Sequence, residues 1–183
     1  MTNKTAFEKT DLARTLSSIL RNRKNANLDT FTCFVDKQKA FDRVNRDILY
    51  MKLAEIGVTG NFLHTLKQLY SDCQAAVDVN GTYTDFFDNS SGVKQGDVIS
   101  PTRFAISNND LCQGMKELNL GVKIHNQLIV SILLFADDIA LIPDSEEHLQ
   151  RMLDFLSYWC SHNKMSVNIS KTKVVNFRKK INL

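Results

Sequence analysis

Two adjacent carboxylates, Asp137 and Asp138, interrupt an otherwise aliphatic stretch, LLFADDIALI. A third, Asp36, follows directly on the apolar run FTCFV. Carboxylates are hard oxygen donors, and three at one point repel one another unless a cation neutralises them. Magnesium is the usual answer, and two such ions ~3.5–4 Å apart are the standard device for in-line phosphoryl or nucleotidyl transfer. A plainer reading fits the same letters: Asp is common in turns, so Asp137-Asp138 can be a polar hairpin turn and Asp36 a strand-end carboxylate. The choice between the two depends on which elements carry these residues and whether those elements meet.

FTCFV, residues 31–35, reads as a buried strand, being short, apolar and bounded by polar residues. The aliphatic runs on either side of the acidic pair read as the two strands of a hairpin, with ADD at its turn. If the first strand lies beside that hairpin, Asp36 reaches the same end. Apolar residues spaced at three and four predict the helices. Phe7, Leu12, Leu16 and Leu20 mark one that ends in RNRKNAN. Ile48, Leu49, Leu53 and Ile56 mark a second, with Asn45 as its cap and Gly57 as its stop. Phe62, Leu63, Leu66, Leu69 and Tyr70 mark a third. After Pro101, the spacing of Phe104, Ile106, Leu111, Met115 and Leu118 predicts a single helix of about four turns. Leu149, Met152, Leu153, Leu156, Trp159 and Cys160 form the clearest amphipathic stripe, with Ser145 as cap and Glu146 and Glu147 in the first turn.

Asn80-Gly81, inside CQAAVDVNGTYTDFFD, signals a hairpin, and SGVKQGDVISP a glycine-bearing loop. Residues 121–124 and 128–134 read as short strands, and Val174–Phe177 as a last strand before a basic tail. Strands alternate with helices and include internal hairpins, and there are too few βαβ units for a doubly wound sheet. The pattern predicts an α/β (α+β) fold, an antiparallel or mixed sheet with helices packed on one face.

The 183 residues, 43% of them hydrophobic, suffice for one domain with a real core, and no linker, repeat or low-complexity tract divides them. A net charge of +3 permits a polyanionic partner without requiring one. Cys33, Cys73, Cys112 and Cys160 are too far apart for a CxxC zinc pair, and the four histidines show no ligand spacing. No stretch approaches the ~18 apolar residues of a membrane span, and no signal-peptide core opens the chain. The expectation is an intracellular chain with reduced thiols and no membrane partner, in nucleus or cytoplasm.

Four blocks in order, FTCFVDKQKAFDRV (31–44), SGVKQGDVISPTRFAISNNDL (91–111), LLFADDIALI (133–142) and WCSHNKMSVNISKTKVVNF (159–177), resemble the palm of a reverse transcriptase. The form is that of the non-LTR retrotransposon (LINE-like) group, with the group II intron enzymes more distant. The resemblance implies a polymerase palm with a ferredoxin-like core, and a two-metal transfer of dNTPs to a primer 3'-hydroxyl on an RNA template. It implies that Asp36, Asp137 and Asp138 are catalytic and bind the metal, Mg2+ or Mn2+. Lys171 matches the lysine placed near the triphosphate, where it protonates pyrophosphate. Phe41 matches the aromatic that packs beneath the incoming sugar and excludes a 2'-hydroxyl, with Ala40 and Asp42 flanking the nucleotide pocket. Gln95 and Gly96 match the loop near template and nucleotide, and Lys94 and Arg103 are candidates for template or primer phosphates.

Several assignments have a structural alternative. Phe41 can be a core aromatic, Asp42 a turn cap, and Lys94, Arg103 and Lys171 solvated surface charges; Val35 and Trp159 read better as core. DKQKAF is more polar at Lys37, Gln38 and Lys39 than its relatives. The implied partners are an RNA template, a DNA primer, dNTPs and further fingers and thumb segments of a longer polyprotein, because the resemblance covers the palm, part of the fingers and no thumb. Two competing functions remain open: a template-independent palm-type nucleotidyl transferase or cyclase, and a non-catalytic nucleic-acid-binding remnant of a retrotransposon.

Overall fold

A computed structural model describes residues 9–89, 91–93, 97, 99–124 and 128–178. In chain order the first elements are helix α1 (Lys9–Asn25), strand β1 (Thr30–Val35) and helices α2 (Arg46–Glu55) and α3 (Gly60–Gln68). Four two-residue strands follow, β2 (Gln74–Ala75), β3 (Asp78–Val79), β4 (Thr82–Tyr83) and β5 (Phe87–Asp88), then helices α4 (Ser100–Ser107) and α5 (Asn109–Glu117). The chain continues through β6 (Val122–Ile124), β7 (Leu128–Val130), β8 (Ile132–Phe135), β9 (Asp138–Leu141), α6 (Glu146–His162) and β10 (Lys173–Phe177). The chain divides into two compact units, Met1–Gln38 with Asn109–Leu183, and Lys39–Asn108.

The first unit is built on a sheet of four strands in the order β10-β1-β9-β8, antiparallel at every junction. Taking only these strands, with α5 and α6 as the crossovers, the chain runs β-α-β-β-α-β, and the spatial order fourth, first, third, second is that of the ferredoxin-like core. Both crossovers join parallel strands, and the right-handed rule for such connections sets α5 and α6 on one face. The two helices touch, and Gly114 makes this possible, since a Cβ there would collide with the Phe155 ring. Leu16 and Ile19 of α1 form a further cluster with Val122 and Ile142, against which Phe34 and Leu133 pack. Phe34 and Leu133 share a sheet face because both register with Ala140. α6 begins as expected, with the Ser145 hydroxyl accepting from the His148 amide at 3.1 Å.

In the second unit, Asn45 caps α2 by accepting the Ile48 amide at 3.0 Å, and Gly57, at φ +89°, ends the helix. α2 packs on α3 and α4. The Asn80-Gly81 turn has both residues at positive φ, 53° and 85°, which is the twist that a two-residue hairpin demands.

Two predicted elements are divided. The helix after Pro101 breaks at Asn108 into α4 and α5. There the Ser107 hydroxyl and the Asn108 amide side chain both donate to the Phe104 carbonyl, at 2.8 Å each, and the Asn108 backbone N–H turns to Ala105. Local side-chain bonds of this kind compete with the helical ladder. The strand read over 128–134 breaks at Ser131: β7 pairs with β6, whereas β8 pairs with β9. The Ser131 carbonyl instead accepts the Ile142 amide at 2.8 Å. Phe7 and the end of the basic tail lie outside the described residues. No helix among the described residues is long and apolar enough to cross a membrane.

Candidate active site

The register of β1 against β9 pairs Val35 with Ile139, so one further step along the two chains sets Asp36 opposite Asp138. Alternation along each strand puts Asp36 on the face of Phe34 and Asp138 on the face of Ala140, which are themselves partners. The two carboxylates therefore arise on one face of one strand pair. They line a cleft of about 340 Å³ together with Phe34, Ala140 and Lys171, and Leu12 and Ala13 of α1 complete its wall. Asp36 and Asp138 are each half-buried.

Asp137 is placed differently. The β8–β9 hairpin closes on Phe135 and Asp138, leaving Ala136 and Asp137 as its two-residue turn, with Ala136 at φ +50°. Asp137 is exposed and does not line the cleft. Among the described residues, no group of three or more His, Cys, Asp or Glu side chains is gathered tightly enough to hold an ion as it stands. The pair that does line the cleft is all-carboxylate, and that donor set fits a hard divalent cation such as Mg2+.

Lys171 reaches the cleft because its turn is bound to β1. The Asp36 carbonyl accepts the Asn168 amide at 2.7 Å, and the Asp36 amide donates to the Thr172 hydroxyl at 3.3 Å. Asn168 in turn accepts the Lys171 and Thr172 amides on its carbonyl and the Ser170 hydroxyl on its side chain. Upstream, the Gln38 amide donates to the Ser166 carbonyl at 2.9 Å. The polar DKQ segment is therefore zipped to residues 166–168, and Lys37 is buried with its ammonium 5.8 Å from the centre of the Trp159 ring. Asn168 and Thr172 carry no local signal that marks them as site supports. Their partner lies far away in the chain.

Ala40 and Phe41 belong to the second unit. Ala40 is buried, and the Phe41 ring stacks on Phe104 with centroids 4.2 Å apart and planes at 19°. Arg103 is neither a solvated charge nor a group held out towards a phosphate. It is 4% exposed, donates to the Tyr70 hydroxyl, and lies 3.6 Å from the Asp97 carboxylate. Arg103 stands on the same face of α4 as Ser100 and Ser107, which are buried as well. Lys94, Gln95 and Gly96 lie outside the described residues. Sequence reasoning missed Arg46, a buried guanidinium that donates to the carbonyls of Gly92, Asn89 and Ser91 at 2.9, 2.7 and 2.9 Å. The signal available was its place in the first turn of a capped helix, which does not separate it from an ordinary exposed arginine.

All four cysteines are free, and burial pushes the thiols of Cys33, Cys112 and Cys160 above their ordinary value. Val35 and Trp159 are core, as their spacing suggested.

Residues 2–182 match the reverse transcriptase (RNA-dependent DNA polymerase) family. The chain is 26% identical over 168 residues to the Retrovirus-related Pol polyprotein from type-2 retrotransposable element R2DM of Drosophila melanogaster, covering 92% of this chain and 16% of that protein. It is 30% identical over 146 residues to the Probable RNA-directed DNA polymerase from transposon BS of the same organism, covering 76% and 15%. The chain thus spans only about a sixth of the length of these relatives. Among solved structures it resembles apo telomerase from Candida tropicalis, truncated from its C-terminal domain, with a TM-score of 0.70 at 18% identity. That match covers 94% of this chain and 36% of the other, and at such identity it shows the fold, a polymerase palm. A telomerase from Candida albicans, solved with a fragment of telomeric RNA, matches with a TM-score of 0.68 at 15% identity, over 95% and 31% of the two chains. By the family match the chain belongs to the reverse transcriptase (RNA-dependent DNA polymerase) family.

Proposed function

We propose that this chain supplies the catalytic palm of an RNA-directed DNA polymerase, which joins dNTPs to a primer 3'-hydroxyl on an RNA template. The observation that carries the reading is the facing of Asp36 and Asp138 across one strand pair, at a cleft that Lys171 also lines. Rigid strands hold the two carboxylates at a fixed separation, which a metal-dependent transfer requires. Asp36 and Asp138 would hold divalent cations, Mg2+ or Mn2+, with Asp137 adding its carboxylate from the turn, and the cations would supply Lewis-acid stabilisation to an in-line displacement. Lys171 attracts the triphosphate and gives a proton to the departing pyrophosphate.

Phe41 lies against the sugar of the incoming nucleotide, where a rigid ring leaves no volume for a 2'-oxygen, and Ala40 flanks the same pocket. Gln95, Gly96 and Lys94 contact the nucleotide and template, as the family resemblance implies. The RNA template, the DNA primer and the fingers and thumb segments of a longer polypeptide are the partners. Buried free thiols suit a reducing, intracellular compartment.

The test is primer extension by the purified, folded chain on an RNA template with dNTPs and Mg2+ or Mn2+, beside Asp138→Ala. Product that needs both the template and Asp138 supports the proposal. Product made without a template assigns the chain to the template-independent transferases. Folded protein that makes no product leaves a nucleic-acid-binding remnant, which would bind RNA regardless of magnesium and of Asp138.

A further inference from the structure

In the second unit two buried arginines meet one tyrosine. The Arg46 guanidinium carbon lies 4.6 Å from the centre of the Tyr70 ring, and that of Arg103 lies 4.8 Å from the same point. Arg103 also donates to the Tyr70 hydroxyl, and Arg46 donates to the Tyr70 carbonyl at 3.4 Å. Burying a charge is costly unless its donors are satisfied. Arg46 meets that condition on main-chain oxygens: its Nε, Nη1 and Nη2 reach the carbonyls of Gly92, Asn89 and Ser91 as well as that of Tyr70. A planar fork with five donors can serve four carbonyls at once, whereas a lysine ammonium, compact and with three donors, cannot.

The backbone that Arg46 holds is bonded in turn to the segment carrying Phe41. The Gly92 amide donates to the Val44 carbonyl at 2.8 Å, and the Val93 amide donates to the Phe41 carbonyl at 2.9 Å. The Ser91 hydroxyl donates to the Asp42 carbonyl at 3.1 Å. The other hold on Phe41 is its ring contact with Phe104, the chain neighbour of Arg103. Phe41 is therefore fixed twice, at its main chain through Arg46 and at its ring through the helix that Arg103 ties to Tyr70. Both paths converge on the Tyr70 ring.

We propose that Arg46, Tyr70 and Arg103 form a buried positioning stack that fixes the Phe41 ring and so sets how strongly the polymerase rejects ribonucleotides. The inference rests on the assignment above of Phe41 to the nucleotide sugar. Exclusion of one oxygen by one ring depends on where the ring stands to a fraction of an ångström. A residue that never touches the nucleotide can therefore change the sugar preference. Arg46, Tyr70 and Arg103 are positioning residues in this scheme, and Phe41 makes the contact.

The experiment measures kcat and KM for dNTPs and for ribonucleotides in template-directed extension, with wild type, Phe41→Ala, Arg46→Lys and Tyr70→Phe. Phe41→Ala lowers the preference for dNTPs. Arg46→Lys lowers it roughly tenfold, chiefly by improving ribonucleotide KM, while dNTP kcat changes little. Tyr70→Phe keeps the ring and its stacking on Arg103, loses the hydroxyl hydrogen bond to Arg103 and has a smaller effect in the same direction. A general loss of folded protein would scale both nucleotides alike and leave the ratio untouched. If Phe41→Ala relaxes the preference and Arg46→Lys does not, the stack has no positioning role and the inference is overturned, with the function standing. If Phe41→Ala has no effect, the assignment of Phe41 falls and the inference with it. Should wild type make no product, hydrogen exchange at the Val93 amide decides the structural step. Arg46→Lys should speed it at least roughly tenfold with the Ile139 amide unchanged, and equal protection in both proteins would overturn the proposal.

Discussion

Gly92→Ala offers a sharp test of how the segment before the glycine-bearing loop is held. Gly92 has φ +81°, and a Cβ placed on it would stand 2.8 Å from the Asp42 carbonyl oxygen and 2.9 Å from the Asp42 Cα. Both are main-chain atoms, so no side-chain rotation relieves the contact. Gly81 is the matched control, with φ +85° and nothing within 4 Å of its virtual Cβ. Left-handed backbone costs an L residue about 1–2 kcal/mol, offset by about 0.4–1 kcal/mol from the reduced freedom of the unfolded chain. Gly81→Ala therefore costs about 1 kcal/mol. At position 92 the same term is joined by a separation of the two backbones. That stretches the 2.8 Å bond to Val44 and the 2.9 Å bond from Arg46. Loss of most of one charged and one neutral hydrogen bond adds about 2–3 kcal/mol, for a total near ~3–4 kcal/mol. Native-state hydrogen exchange at the Val93 amide reads this directly, because that amide bonds to Phe41 inside the block. The expected acceleration is a hundredfold or more for Gly92→Ala and about fivefold for Gly81→Ala, at ~1.4 kcal/mol per tenfold. Equal acceleration by the two variants would refute the reasoning. It would mean that the close approach to Asp42 contributes nothing and that only the left-handed backbone requires glycine.

The three aspartates should not be equivalent. Asp138→Asn and Asp36→Asn remove carboxylates that line the cleft and should abolish primer extension, whereas Asp137→Asn alters an exposed turn residue and should lose less. An Asp137→Asn defect as deep as that of Asp138→Asn would refute the ranking. Lys171→Met should lower kcat by about a hundredfold with a smaller change in KM, the size usual for a lost general acid, and an unaltered kcat would make Lys171 a surface charge. Stability should fall at alkaline pH. The unfolded thiols ionise near the ordinary value of 9.0, while burial keeps Cys33, Cys112 and Cys160 protonated to higher pH in the folded chain. Their contribution is thus complete below pH 9 and is lost as pH rises through the raised folded values. Urea midpoints measured from pH 8 to pH 10.5 should drop more steeply for wild type than for a Cys33→Ala, Cys112→Ala, Cys160→Ala triple variant, and identical slopes would contradict the assignment.

Residues with a strong local signature behave as they read. Asn45 and Ser145 cap helices because a short side-chain acceptor beside free N–H groups acts within three residues. Asn80-Gly81 turns a hairpin because both residues tolerate positive φ. The short apolar run FTCFV and the aliphatic runs around Asp137-Asp138 become three strands of one sheet. Where two local tendencies compete, the reading is coarser. Apolar spacing carries the helix across Asn108, but Ser107 and Asn108 take the Phe104 carbonyl and break it. Likewise β7 and β8 form one aliphatic run whose division depends on which strand each half meets.

The sequence by itself determined an α+β pattern with one acidic strand end and one acidic hairpin turn, since periodicity, caps and turn residues act over a few positions, and the palm was implied by the resemblance of its motif blocks. Tertiary structure alone decided that Asp36 faces Asp138, because strand register is set by pairing between segments distant in the chain. It alone set Asp137 outside the cleft, brought Lys171 in through Asn168, and turned Arg46 and Arg103 inwards. An arginine has the same letter on a surface as in a core. What separates the two is whether distant carbonyls and aromatic rings stand within about 3 to 5 Å of its guanidinium, and only the folded backbone supplies them.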